Sequence, residues 1–209
     1  MRFWRIGVVL AALAGLLGPL PVRAVVIDFE GATGFADNSG AFFDVSGFRF
    51  TNQDVTSNGF LVVTNQSDIV EVGTTKLFSA NHSDVVMTKV GGGAFDLESF
   101  DIGGSFIRFS SRWATQVEVT GNLSGGGTVS QTINIPSSPP DYQNIVLSAA
   151  WDSLTSVRFS ATATGGSEFD FEFTLDNIAA VDAAAVPAPA TLALLGLGLA
   201  GLCWTRRRS

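Results

Sequence analysis

The sequence predicts an all-β chain folded as an antiparallel two-sheet sandwich of the jelly-roll type. Three observations carry this. Hydrophobic residues alternate with polar ones at period two, most clearly in residues 168–178, EFDFEFTLDNI, where Phe169, Phe171, Phe173 and Leu175 lie on one side and Asp170, Glu172 and Thr174 on the other. Glycine clusters at 91–93, 103–104, 125–127 and 165–166 punctuate the chain at short intervals. No stretch between 25 and 182 has a convincing helical period. In order, strands are expected at 25–29, 48–50, 59–64, 84–90, 100–102, 106–110, 116–120, 128–135, 143–147, 157–159 and 168–178, with one turn of helix over 148–154. Seventeen phenylalanines supply the core, since each buried ring removes a large apolar area from water. About ten half-buried strands without helices need a second layer to cover them. A β-barrel and an immunoglobulin-like sandwich are the rival arrangements, the latter without the cysteine pair and core tryptophan of true immunoglobulin domains.

Charge narrows the function classes. All 19 acidic residues fall between Asp28 and Asp182, with only six basic residues among them, a net of −13 for that region against −7 for the whole chain. Such a surface repels nucleic acid, which is held by Lys and Arg on phosphates. It also repels anionic lipid and favours solubility. The single cysteine, Cys203, lies outside the region, so no disulfide braces it. Some 158 residues suffice for one domain with a full core.

The two ends read as addresses rather than fold. Residues 1–24 carry Arg2 and Arg5, an apolar run over 6–20, and Val22-Arg23-Ala24, the three parts of a secretory signal peptide cleaved between Ala24 and Val25. The domain then spans 25–182 and a small-residue linker 183–190. Residues 191–204 are apolar and uncharged. As a helix at ~1.5 Å per residue they reach roughly 21 Å, short of the ~30 Å hydrocarbon layer. Arg206, Arg207 and Arg208, in the basic tail 205–209, hold the end on the cytoplasmic side of the inner membrane.

The three-part tail, Val186-Pro187-Ala188-Pro189, then LALLGLGLAGL, then three arginines, resembles the PEP-CTERM sorting signal. Ala188 stands where that family usually has glutamate, a Pro-Ala-Pro variant. The resemblance implies an exosortase-type processing enzyme as partner, an inner-membrane-held precursor and release or attachment at the cell surface. A looser likeness links VIDFEG (26–31), AFDLESFDIGG (94–104), WDSLTSVRFSA (151–161) and FTLDNIAAV (173–181) to jelly-roll domains that carry this tail.

Catalytic chemistry finds little footing. His82 is the only histidine and Cys203 the only cysteine, which excludes multi-imidazole and thiolate metal sites and Cys–His catalysis in the domain. No nucleophile elbow or phosphate loop is present, and no residue is assigned a catalytic role. Calcium, a hard ion held by oxygen ligands, is the best metal hypothesis, with Asp28 and Glu30 at the end of the first strand and Asp176 and Asn177 in the last as candidate ligands. Trp113 and Tyr142, beside polar stretches, are candidate platforms for a sugar ring. The expectation is a non-catalytic exported protein associated with exopolysaccharide. The alternative is a carbohydrate-binding module of sandwich type or, further off, a polysaccharide hydrolase.

Overall fold

The structure, a computed structural model, describes residues 24–54, 59–69, 74–107, 112–135, 142–162 and 171–183. The signal segment before Ala24, the sorting motif, the apolar stretch 191–204 and the terminal arginines lie outside the described residues. Among those described, no helix is long and apolar enough to cross a membrane.

Among the described residues thirteen strands follow one another: β1 (Ala24–Ile27), β2 (Phe35–Ala36), β3 (Phe42–Val45), β4 (Phe48–Asp54), β5 (Phe60–Thr64), β6 (Lys76–Ala80), β7 (Ser83–Lys89), β8 (Phe95–Gly103), β9 (Gln116–Leu123), β10 (Thr128–Asn134), β11 (Gln143–Val146), β12 (Leu154–Thr162) and β13 (Phe173–Asp182). The helical turn expected near Trp151 is a 3-10 turn, Ala149–Trp151.

The strands form two antiparallel layers. One runs β2-β5-β6-β13-β8-β11, with β1 beside the C-terminal half of β13; the other runs β3-β4-β7-β12-β9-β10. Between the described strands one bridge, Leu154 to Phe95, joins them, and Trp113 bridges to Glu172 where the chain leads into β9 and β13. Without β2–β6, the orders β1-β13-β8-β11 and β7-β12-β9-β10 are the two four-stranded sheets of a jelly roll. The inserted strands β2–β6 widen both layers.

One apolar core lies between the layers. Phe48 meets Phe95 and Phe100 meets Phe159 edge to face, each pair with centroids 5.2 Å apart, and both pairs cross from layer to layer. Trp151, Leu154 and Val157 close the core from β12 and its approach. Between β6 and β7 the chain changes layers in two residues, Asn81 and His82. Both have positive φ, 53° and 64°, and the Ser79 hydroxyl donates to the Ser83 carbonyl beneath them. His82 packs against Phe171 and serves as a turn residue.

Several expectations need correction. The last strand begins at Phe173 rather than 168, and residues 163–170 lie outside the described set. It is not half-buried: Phe173, Thr174, Leu175 and Asp176 are all buried, because β13 is a central strand with covered faces. Phe106 forms only an isolated bridge with Ile69, so the described part of 106–110 is no strand. Strands β2, β3 and β6 went unpredicted. The last of these is buried at every position despite beginning on Lys76.

Candidate functional site

The last strand carries a bulge at the place where its neighbour changes. Thr174 and Leu175 pair with β6, whereas residues from Ile178 onward pair with β1, and the register against β8 slips between Asp176 and Ala179. Asn177 takes φ 46° there. Leu175 and Ile178 both enter the core, so Asp176 and Asn177 both turn away from it.

Around the bulge a polar cluster assembles from five elements. Asp176 stands opposite Asp101 across β13 and β8. Asn177 donates its side-chain amide to Asp101 Oδ2 at 2.9 Å, and Asn144 of β11 donates to Oδ1 at 2.7 Å. The Glu30 carboxylate accepts from the Thr75 amide at 2.9 Å and from the Thr75 hydroxyl at 3.1 Å. Lys76, fully buried on the neighbouring strand, supplies positive charge. Burial pushes the Asp176 carboxyl up to about 6. The backbone N–H of Asn177 opposes that shift, the Asp101 and Glu30 charges add to it, and Lys76 offsets part of it.

Three of the four calcium candidates, Glu30, Asp176 and Asn177, therefore come to one region, with Asp101 and Lys76 beside them. Asp28 stays exposed, and its Oδ1 accepts from the Glu30 amide at 3.2 Å in a local turn. The oxygens are directed at protein donors: Glu30 at Thr75, Asp101 at two amides, Asp176 at its neighbour's N–H. Among the described residues no three His, Cys, Asp or Glu side chains are placed to hold a metal ion. A buried ammonium already provides the countercharge that a cation would bring.

Of the two proposed sugar platforms, Trp113 is enclosed. Trp113 is only 4 % exposed, and its Nε1 donates to the Phe106 carbonyl at 3.0 Å. It covers Gly104, where a Cβ would overlap the indole. Beside it Glu172, also buried, accepts from the Ser105 hydroxyl and, at 2.6 Å, from Arg112 Nη2. This ring closes the end of β8 and cannot offer a face to a ligand. Tyr142 is half-buried, with its hydroxyl shut off from solvent.

The exposed rings are elsewhere. Phe35 on β2 is 59 % exposed and Phe42 on β3 is 50 % exposed. Gly34 packs on the Phe43 ring, and the Asn52 amide spans the Ala36 and Gly59 carbonyls, which draws these two edge strands to one margin of the sandwich. Phe35 heads a row of rings, Phe35–Phe60–Phe78–Phe106, at centroid spacings of 5.9, 6.1 and 5.6 Å. The Arg49 guanidinium lies 3.7 Å from the Phe42 centroid and forks onto both Asp44 oxygens at 2.9 and 3.0 Å. Those hydrogen bonds hold the Asp44 carboxyl below its ordinary range and raise Arg49. The β3–β4 hairpin register sets the trio, with Asp44 opposite Arg49. The guanidinium thus covers one face of the half-exposed Phe42, and Phe35 stands exposed at the same margin.

Fold and termini together define a jelly-roll β-sandwich followed by a C-terminal sorting tag. The tag is the PEP-CTERM protein-sorting motif, matched over residues 185–208. No curated protein matches the chain. Solved structures of similar architecture include a DUF4465 family protein from Bacteroides ovatus (10% identity, 78% of this chain and 100% of that one, TM-score 0.45). A family 29 carbohydrate-binding module from Piromyces equi is another (8%, 82% and 98%, TM-score 0.42). A third is a CBM29-2 variant complexed with mannohexaose (12%, 78% and 94%, TM-score 0.39). Likenesses this distant say nothing of what the present chain binds.

Proposed function

We propose that this chain is an exported, non-catalytic component of a bacterial surface or extracellular exopolysaccharide matrix. The observation that carries the reading is the sorting motif at 185–208 behind an acid-rich sandwich. On this reading the chain leaves by the secretory pathway and loses residues 1–24. Its apolar segment 191–204 then holds it in the inner membrane, Arg206, Arg207 and Arg208 staying on the cytoplasmic side, until the exosortase-type enzyme cuts near Pro189. Intact-mass measurement of the exported protein, with and without that enzyme, tests this. The expected mature species lacks the three arginines, and an exported species that retains them overturns the reading.

A second reading, a carbohydrate-binding module, is favoured by Phe42, Arg49 and Asp44 and by the exposed Phe35 at the same margin. A glycan array probed with the protein and with Phe42→Ala separates the two. Binding lost in the variant supports the module, and no binding to any extracellular polysaccharide leaves the structural role.

A further inference from the structure

We propose that β10 is a pairing edge for a second copy of this chain. Sheet edges expose unpaired backbone donors and acceptors, and proteins guard them with charge, proline, bulges or shortness. Four of the edge strands here are short: β1, β3 and β11 have four residues each and β2 has two. In addition, β3 carries the Asp44–Arg49 pair. Strand β10 lacks all four, and among the described residues only at its end does a side chain reach the edge, where the Asn134 carbonyl accepts from Gln143 Nε2 at 2.6 Å. It runs seven residues, TVSQTIN, with no charge and no proline, and its register with β9 is unbroken from Thr128–Asn122 to Asn134–Gln116. Among the described residues it pairs with β9 alone. The hairpin 116–135 contains one charged residue, Glu118, in a domain with 19 acids. Two copies that repel each other elsewhere can therefore meet here without bringing carboxylates face to face.

The sequence of β10 is complementary to itself when reversed. Antiparallel pairing centred on Gln131 sets Gln131 opposite Gln131, Val129 opposite Ile133, Ser130 opposite Thr132 and Thr128 opposite Asn134. Ile133 is buried in the core and Val129 packs against it, so both copies keep their apolar side facing inward. The outward pairs are small hydroxyl and amide residues, which suit cross-strand hydrogen bonding. The result is a continuous sheet through two molecules.

Cysteine crosslinking of the full chain in detergent, in a Cys203→Ser background, tests the pairing. Paired residues on the dyad lie about 5 Å apart at Cα, within disulfide reach. Gln131→Cys is expected to form a reducible dimer under mild oxidation at least about five times faster than Thr128→Cys, whose copies would sit roughly 20 Å apart along the strands at ~3.4 Å per residue. Adding Ser130→Lys, at an exposed position, is expected to remove the crosslink while leaving the melting temperature unchanged. Equal rates at the two positions, no dimer at Gln131→Cys, or a crosslink insensitive to the lysine overturns the proposal. The inference is independent of the sorting reading: a monomer whose tail is still cut would sink this one alone.

Discussion

The indole of Trp113 rests on Gly104, so closely that even a methyl group on residue 104 would overlap the ring. The tryptophan is fixed in turn by its bond to the Phe106 carbonyl, and the Gly104 carbonyl accepts from the Thr174 hydroxyl at 2.8 Å. Neither partner can yield without breaking a buried hydrogen bond. Gly104→Ala should therefore destabilise the fold by about 2–3 kcal/mol, as overpacking of a tight interior does. Urea unfolding followed by tryptophan fluorescence reads this, with a lowered midpoint as the expected outcome.

The buried carboxylate of Glu172, next to that ring, forms an ion pair with Arg112 at 2.6 Å. Arg112→Ala should cost about 3 kcal/mol, the scale for removing one member of a buried ion pair. Glu172→Gln in the same background should recover part of the loss by removing that charge. A double-mutant cycle on thermal unfolding checks both steps, and additive effects would argue against coupling.

Asp176 gives the fold a distinct response to pH. Its folded pKa is raised to about 6 from 3.8, so the native state binds this proton more tightly than the unfolded chain. The associated stability is fully present below about pH 4 and is lost as pH rises through 6, on the order of 2 kcal/mol in total. Relative to wild type, Asp176→Asn should therefore gain stability between pH 4 and pH 7. Lys76→Met should push the window upward, because Lys76 holds the pKa down. Melting curves at half-unit pH steps measure the difference, and parallel curves would contradict it.

Chelation should leave the fold unchanged. Asp101, Asp176 and Glu30 are bonded to protein donors beside a buried lysine. Melting temperatures with excess EDTA and with millimolar calcium are expected to agree within error, and a calcium-dependent rise would show a site that the protein donors leave open.

Much of the fold was legible locally. Alternation in VRF at 157–159, the run 128–135 and the apolar segment 59–64 each marked a strand, because one face of each meets the core. Strand β6 escaped because its lysine is buried near a carboxylate distant in sequence, that of Asp176. The sandwich margin escaped for a similar reason: the sequence places Phe42 beside Phe43, and only strand β3 decides that Phe43 goes inward while Phe42 meets Arg49. Trp113 misled because its polar neighbours Ser110, Ser111 and Arg112 suggested a surface. Yet Arg112 is there to neutralise Glu172, 60 residues away.

By itself the sequence determined the strand-rich class, the acidic domain and the sorting motif, since periodicity, charge and a linear tag are read along the chain without folding it. Tertiary structure alone decided which strands share a layer, that the final strand bulges at Asp176–Asn177 and which aromatic rings stay in water. Those outcomes depend on contacts between residues tens of positions apart. The energy of such contacts comes from excluding water and pairing charge across layers, and no local window contains both partners.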